Sequence, residues 1–66
     1  MGKGNLAAAR QHFERAALSG SAEAALAAGN TFDPVSLTKA GLKQAGDPMR
    51  AREWYRRAYE LAQIRQ

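Results

Sequence analysis

Alanine supplies fifteen of the thirty apolar residues in this 66-residue chain, and no other feature narrows the possible folds as much. A chain so short makes at most one small domain and buries only a modest core. With few large apolar side chains it has two outcomes. It stays unfolded for want of apolar bulk, or it folds as helices packed so closely that alanine fills the space between them. The usual staples of small domains are missing. There is no cysteine, so no disulfide or thiolate metal site, and the single histidine, His12, rules out a histidine-rich metal site.

The punctuation favours helices. Residues 5 to 19, NLAAARQHFERAALS, place Leu6, Ala9, Phe13, Ala16 and Ala17 on one helical face. Asn5 caps the start, and Gly20 offers a left-handed stop. Ser21 is a good N-cap for a second helix running to Phe32, with Ala22, Ala25, Leu26, Gly29 and Phe32 on one side. Gly29 costs about 1 kcal/mol relative to alanine inside a helix, which suggests that another backbone comes close there. Asp33-Pro34 reads as a cap followed by proline at the first helical position, predicting a short helix over 34 to 41. Asp47-Pro48 repeats the signal and opens a last helix over 48 to 64. Its stripe is Ala51, Trp54, Tyr55, Ala58, Leu61 and Ala62. Glu53 and Arg57 form a favourable i,i+4 pair, whereas Arg52 and Arg56 repel at the same spacing.

The chain also repeats itself. At an offset of 42, ARQHFERAALSG (9–20) falls on AREWYRRAYELA (51–62). Alanine matches at 9/51 and 16/58, arginine at 10/52 and 15/57, and Gly4 falls on Gly46. AREWYRRAYELA resembles the second helix of Sel-one-like repeats, relatives of the tetratricopeptide repeat. AEAALAAGNTF resembles the first helix of that family, and Gly41-Leu42 with Asp47-Pro48-Met49-Arg50-Ala51 resembles its connecting loop. The resemblance implies an all-α, right-handed helical-hairpin repeat, a solenoid fragment of three main helices and one short one. Residues 21 to 64 are then one complete repeat, and 5 to 20 the second helix of the repeat before it. The connector from Asp33 to Lys39 is longer than the family pattern. Phe32 replaces a tyrosine, and His12-Phe13 replaces Trp-Tyr.

No residue pattern suggests catalysis, a cofactor or a metal. Ser19, Ser21 and Ser36 sit at helix ends, where capping explains them. His12 has no arranged partner and reads as a packed or partly exposed ring. No Ser/His/Asp order, phosphate loop or carboxylate cluster is present. The expected core comprises Phe13, Leu26, Gly29, Phe32, Trp54, Tyr55 and Ala58. Tyr59 lies off the stripe and is the expected exposed aromatic. The net charge is +4, but six acidic residues are interspersed among the basic ones, as on a solvated helix face.

The resemblance implies a protein–protein interaction scaffold. The candidate partner-binding residues are Arg52, Arg56, Tyr59, Leu61 and Ile64, and the partner is another protein or peptide. Leu61 and Ile64 have no following repeat to cover them, so a two-fold homodimer through uncapped faces is a further expectation. The alternative is a basic module for nucleic acid or an anionic membrane surface, acting through Arg50, Arg52, Arg56, Arg57 and Arg65. The interleaved Glu53 and Glu60, and the expected burial of Trp54, disfavour nucleic acid. No apolar run approaches the ~20 residues that span a bilayer, and the start lacks the apolar stretch of a signal peptide. A parent protein with its own leader would place this segment in the periplasm or outside the cell; otherwise it is expected in the cytoplasm.

Overall fold

The structure, a computed structural model, describes residues 5–64, apart from the side chain of Asn5. The expected cap by Asn5, the Gly4–Gly46 match and the basic contribution of Arg65 lie outside the described residues. Four helices follow in order: α1 (Asn5–Leu18), α2 (Ala22–Phe32), α3 (Pro34–Lys39) and α4 (Pro48–Ile64). There is no strand among the described residues.

Local hydrogen bonds set each boundary. Gly20 takes the left-handed conformation at φ 105°. Its N–H donates to Ala17 O at 2.9 Å, and the Ser21 N–H donates to Ala16 O at 3.3 Å. This is the paired closure of a Schellman turn. Ser21 then starts α2, its hydroxyl accepting from the Ala24 N–H at 3.0 Å. One serine thus ends one helix and begins the next, which folds α1 back on α2. Asp33 does the same at the other end of α2. Its N–H donates to Gly29 O at 3.0 Å, and its carboxylate accepts from the Val35 N–H at 3.2 Å. Gly41, at φ 78°, closes α3 with a second Schellman pair, Gly41 N–H to Thr38 O at 3.0 Å and Leu42 N–H to Leu37 O at 2.9 Å. Asp47 caps α4 through the Arg50 N–H at 3.2 Å.

α2 is the central helix, with α1 and α4 packed along it and α3 at its end. The core is as alanine-rich as the composition suggests. Ala17, Ala24 and Ala25 form its centre, and Ala16, Trp54, Ala58 and Leu61 close over them. Ala28, Phe32, Leu37 and Ala51 are also buried. α3 is anchored by Leu37 alone of its six residues. The loop before α4 is pinned to the α2–α3 corner, where the Asp47 N–H donates to Phe32 O at 2.7 Å. A Cβ on Gly46 would lie 2.6 Å from that same carbonyl oxygen and 2.7 Å from Pro34 Cγ.

Three expectations need correction. Leu26, assigned to the core, is 50% exposed. α2 buries Ala25, Gly29 and Phe32 of the expected side, and with them Ala24, Ala28 and Thr31. Because α2 is flanked on two sides, its small residues face inward and its one leucine lies outside. Gly29 meets a ring rather than a backbone, since a Cβ there would sit 2.6 Å from Tyr55 Cδ1. Trp54 and Ala58 pack on the Ala17–Ala24–Ala25 centre. The Glu53–Arg57 pair does not form; among the described residues the ion pair is Arg50–Asp47, at 3.7 Å.

Candidate interaction surface

Two polar clusters hold the frame that presents the surface. Arg10, from α1, reaches the C-terminal end of α2. Its Nε donates to Thr31 Oγ1 at 3.2 Å, and a terminal guanidinium nitrogen donates to the Thr31 carbonyl. The guanidinium carbon also stands 3.9 Å from the centroid of the Phe32 ring, a cation–π distance. Sequence reasoning missed this residue, although a signal was present. Arg10 lies between Leu6 and Phe13 on the apolar stripe of α1, at helical spacing, where a cation must find a partner.

The second cluster ties α4 to the α2–α3 corner. The Tyr55 ring lies over Gly29, and its hydroxyl is 2.7 Å from Asn30 Oδ1 and 3.1 Å from Asp33 Oδ2. Ser36 Oγ donates to the same Asp33 oxygen at 3.0 Å. Burial raises the Asp33 pKa, but hydrogen bonds from Ser36, the Val35 N–H and Tyr55 outweigh it and hold the carboxyl below its ordinary 3.8. Burial pushes the Tyr55 phenol above its ordinary 10.0, and the neighbouring Asp33 carboxylate adds to the rise.

With these contacts made, α4 turns one side to α2 and the other to solvent. Among the candidate partner-binding residues, Arg52 and Arg56 are exposed, Tyr59 is 66% exposed and Ile64 77%. Leu61 is half-buried against the core, so it belongs more to packing than to a free surface. Met49, which the sequence reading left out, is 71% exposed. Met49, Arg52, Arg56 and Tyr59 follow one another at three- and four-residue spacing, which places them in a row along the helix. Two grooves border this frame. One, of about 590 Å³ between α1 and α4, is walled by Leu18 and Trp54 and rimmed by Glu14, Arg50, Arg57 and Glu60. Arg57 stands 5.8 Å from the Trp54 ring. The other, of about 570 Å³ beside α2 and α3, is lined by Leu6, Phe13, Ala27 and Leu42, with Lys39 at its edge.

Phe32 is buried as expected. Phe13, Trp54, Tyr55 and Ala58 are half-buried. His12 is exposed, edge-on to Phe13 at 5.6 Å. No group of three His, Cys, Asp or Glu among the described residues could hold a metal ion. No described helix is long and apolar enough to cross a membrane. No family model matches the chain, and neither a curated protein nor a solved structure is significantly similar to it.

Proposed function

We propose that this chain is a non-catalytic protein–protein interaction module of the Sel-one-like, tetratricopeptide-like kind, and that it binds its partner on the outer face of α4. The observation that carries this reading is the exposure of Met49, Tyr59 and Ile64, at 71%, 66% and 77%, on a helix whose opposite side is packed. Large apolar side chains in solvent beside arginines have the composition of interface anchors. The central position of α2 between α1 and α4 also suits a helix that begins a repeat and packs on the helices before and after it.

Selection from a displayed peptide library tests the reading. Selected peptides should perturb the NMR signals of Met49, Arg52, Arg56 and Tyr59. Their affinity should fall less than about tenfold between ~50 and ~200 mM salt, because few phosphate-like contacts are involved. Perturbations confined to the α1–α2 side, around Leu6 and Phe13, would sink it.

A second reading is favoured by one observation. Arg52, Arg56 and Arg57 are exposed and have no carboxylate within ion-pair distance among the described residues. A basic module for nucleic acid or an anionic membrane surface would use them. It predicts binding to a single-stranded oligonucleotide or to anionic vesicles, with a steep loss in salt.

A further inference from the structure

We propose that the outer face of α4 takes an amphipathic helix of another polypeptide, docked antiparallel, faced with alanine and glycine, and ending in threonine followed by an aromatic residue. The proposal rests on the reading of that face as an interaction surface and names the chemistry of what it takes. At the repeat offset of 42, Arg10 and Ala17 of α1 fall on Arg52 and Tyr59 of α4. Within each helix the two residues are seven apart, about two turns, so they share one side. In α1 that side is occupied. Ala17 is 2% exposed and packs with Ala24 and Ala25 of α2. Arg10 clasps the far end of the same helix, donating to the Thr31 hydroxyl and carbonyl and standing over the Phe32 ring. In α4 the equivalent side faces solvent, with Arg52 exposed and Tyr59 66% exposed.

The chemistry of the occupant follows from α2. There Ala24, Ala28 and Thr31 recur at four- and three-residue spacing, and all are buried. Their small side chains let α1 come close. Thr31 and Phe32 then offer a guanidinium a hydroxyl, a helix-terminal carbonyl and a ring face. A helix on the outer face of α4 presents the same end to Arg52, with one difference. Tyr59 stands where α1 has alanine, so the residue opposite it must be smaller than Ala24. The fold already meets this demand once: the Tyr55 ring lies over Gly29, where a Cβ would sit 2.6 Å from Tyr55 Cδ1. The occupant therefore carries glycine at the position of Ala24, seven residues before its threonine. A second copy does not supply such a helix, because its own α2 is enclosed between α1 and α4.

NMR titration of the isotope-labelled full chain decides it. The probe is a synthetic peptide of residues 21–33 carrying Ala24→Gly and stapled between positions 26 and 30, both exposed in α2. Saturable shifts are expected at Arg52, Arg56 and Tyr59, with a dissociation constant on the order of 10⁻⁴ M, as befits a contact smaller than a standard interface. Thr31→Ala in the peptide should weaken binding about tenfold, through loss of a hydrogen bond to a charged group. Leucine in place of the glycine should abolish binding. Against a chain carrying Arg52→Gln, the Thr31→Ala change should cost less than about twofold, because its partner is gone. Circular dichroism checks that the peptide is helical and that the variant chain keeps its helicity. No saturable shift with the helical peptide, shifts confined to other helices, or an equal Thr31→Ala cost in both chains would each overturn the proposal. Library-selected peptides that bind α4 while this helix does not would leave the interaction reading standing and remove only the occupant proposed.

Discussion

Gly29 and Asp33 show how much a single position carries here. Alanine is normally better than glycine inside a helix by about 1 kcal/mol. At position 29 that gain is overridden, since the added Cβ would fall 2.6 Å from Tyr55 Cδ1 and push the ring off its bonds to Asn30 and Asp33. Gly29→Ala should therefore destabilise the fold by about 1–3 kcal/mol, the usual cost of overpacking. Urea denaturation measures it, and a variant more stable than the parent would show that the ring moves freely. Asp33 leads to a pH dependence. Its pKa is lowered on folding, with burial opposed and outweighed by the hydrogen bonds of Ser36, Val35 and Tyr55. A depressed carboxyl contributes stability that is present above its unfolded value, near 3.8, and is lost as pH falls through the lower folded value. Asp33→Asn should flatten this acid limb of the melting temperature below about pH 4 and leave its shape near pH 7 unchanged. An identical acid limb in the variant would assign the loss to other carboxylates.

At the scale of the element, α4 matters most. Trp54, Ala58 and Leu61 pack against the alanine centre of Ala17, Ala24 and Ala25, and Ala51 is buried on the same helix. Ala58→Leu should overpack this contact and cost on the order of 1–3 kcal/mol, read as a lower denaturation midpoint with an unchanged slope. An unchanged midpoint would mean that α4 can slide outward, against the close packing seen. α3 behaves differently. Only Leu37 anchors it, while Asp33 and Gly41 define its ends, so it is held more by its caps than by its face.

For the whole molecule, the arrangement is one helix held between two. α2 touches α1 and α4 along its length, and the buried residues of α2 are shared between both neighbours. Removing residues 48–66 should thus do more than shorten the chain. It uncovers Ala25, Gly29 and Phe32 together and removes the Tyr55 tie to the α2–α3 corner. A core this small rarely supplies more than ~3–5 kcal/mol. The shortened chain is expected to lose most of its helical circular dichroism, including that of α1 and α2. Retention of the α1–α2 signal would identify that hairpin as an independent folding unit.

The helix boundaries were legible in the sequence because each depends on a few adjacent residues. Gly20 with Ser21, Asp33-Pro34, Gly41 and Asp47-Pro48 each satisfy or withhold backbone hydrogen bonds within about one turn, and the chain needs no distant partner to obey them. The exposure of Tyr59, Arg52 and Arg56 could be read for the same reason, since they lie opposite the apolar stripe of their own helix. The inner side of α2 could be read only in part: Ala25, Gly29 and Phe32 are buried as their spacing suggests, but the full face could not. Which side goes inward depends on two neighbours at once, and their combined demand for close approach turned Ala24, Ala28 and Thr31 inward and left Leu26 out. The contacts of Gly29 with Tyr55, Gly46 with the Phe32 carbonyl, and Arg10 with Phe32 and Thr31 join residues 14 to 26 positions apart. No local preference encodes such pairs. They exist only because packing α1 and α4 on a helix of small side chains brings those positions within van der Waals distance.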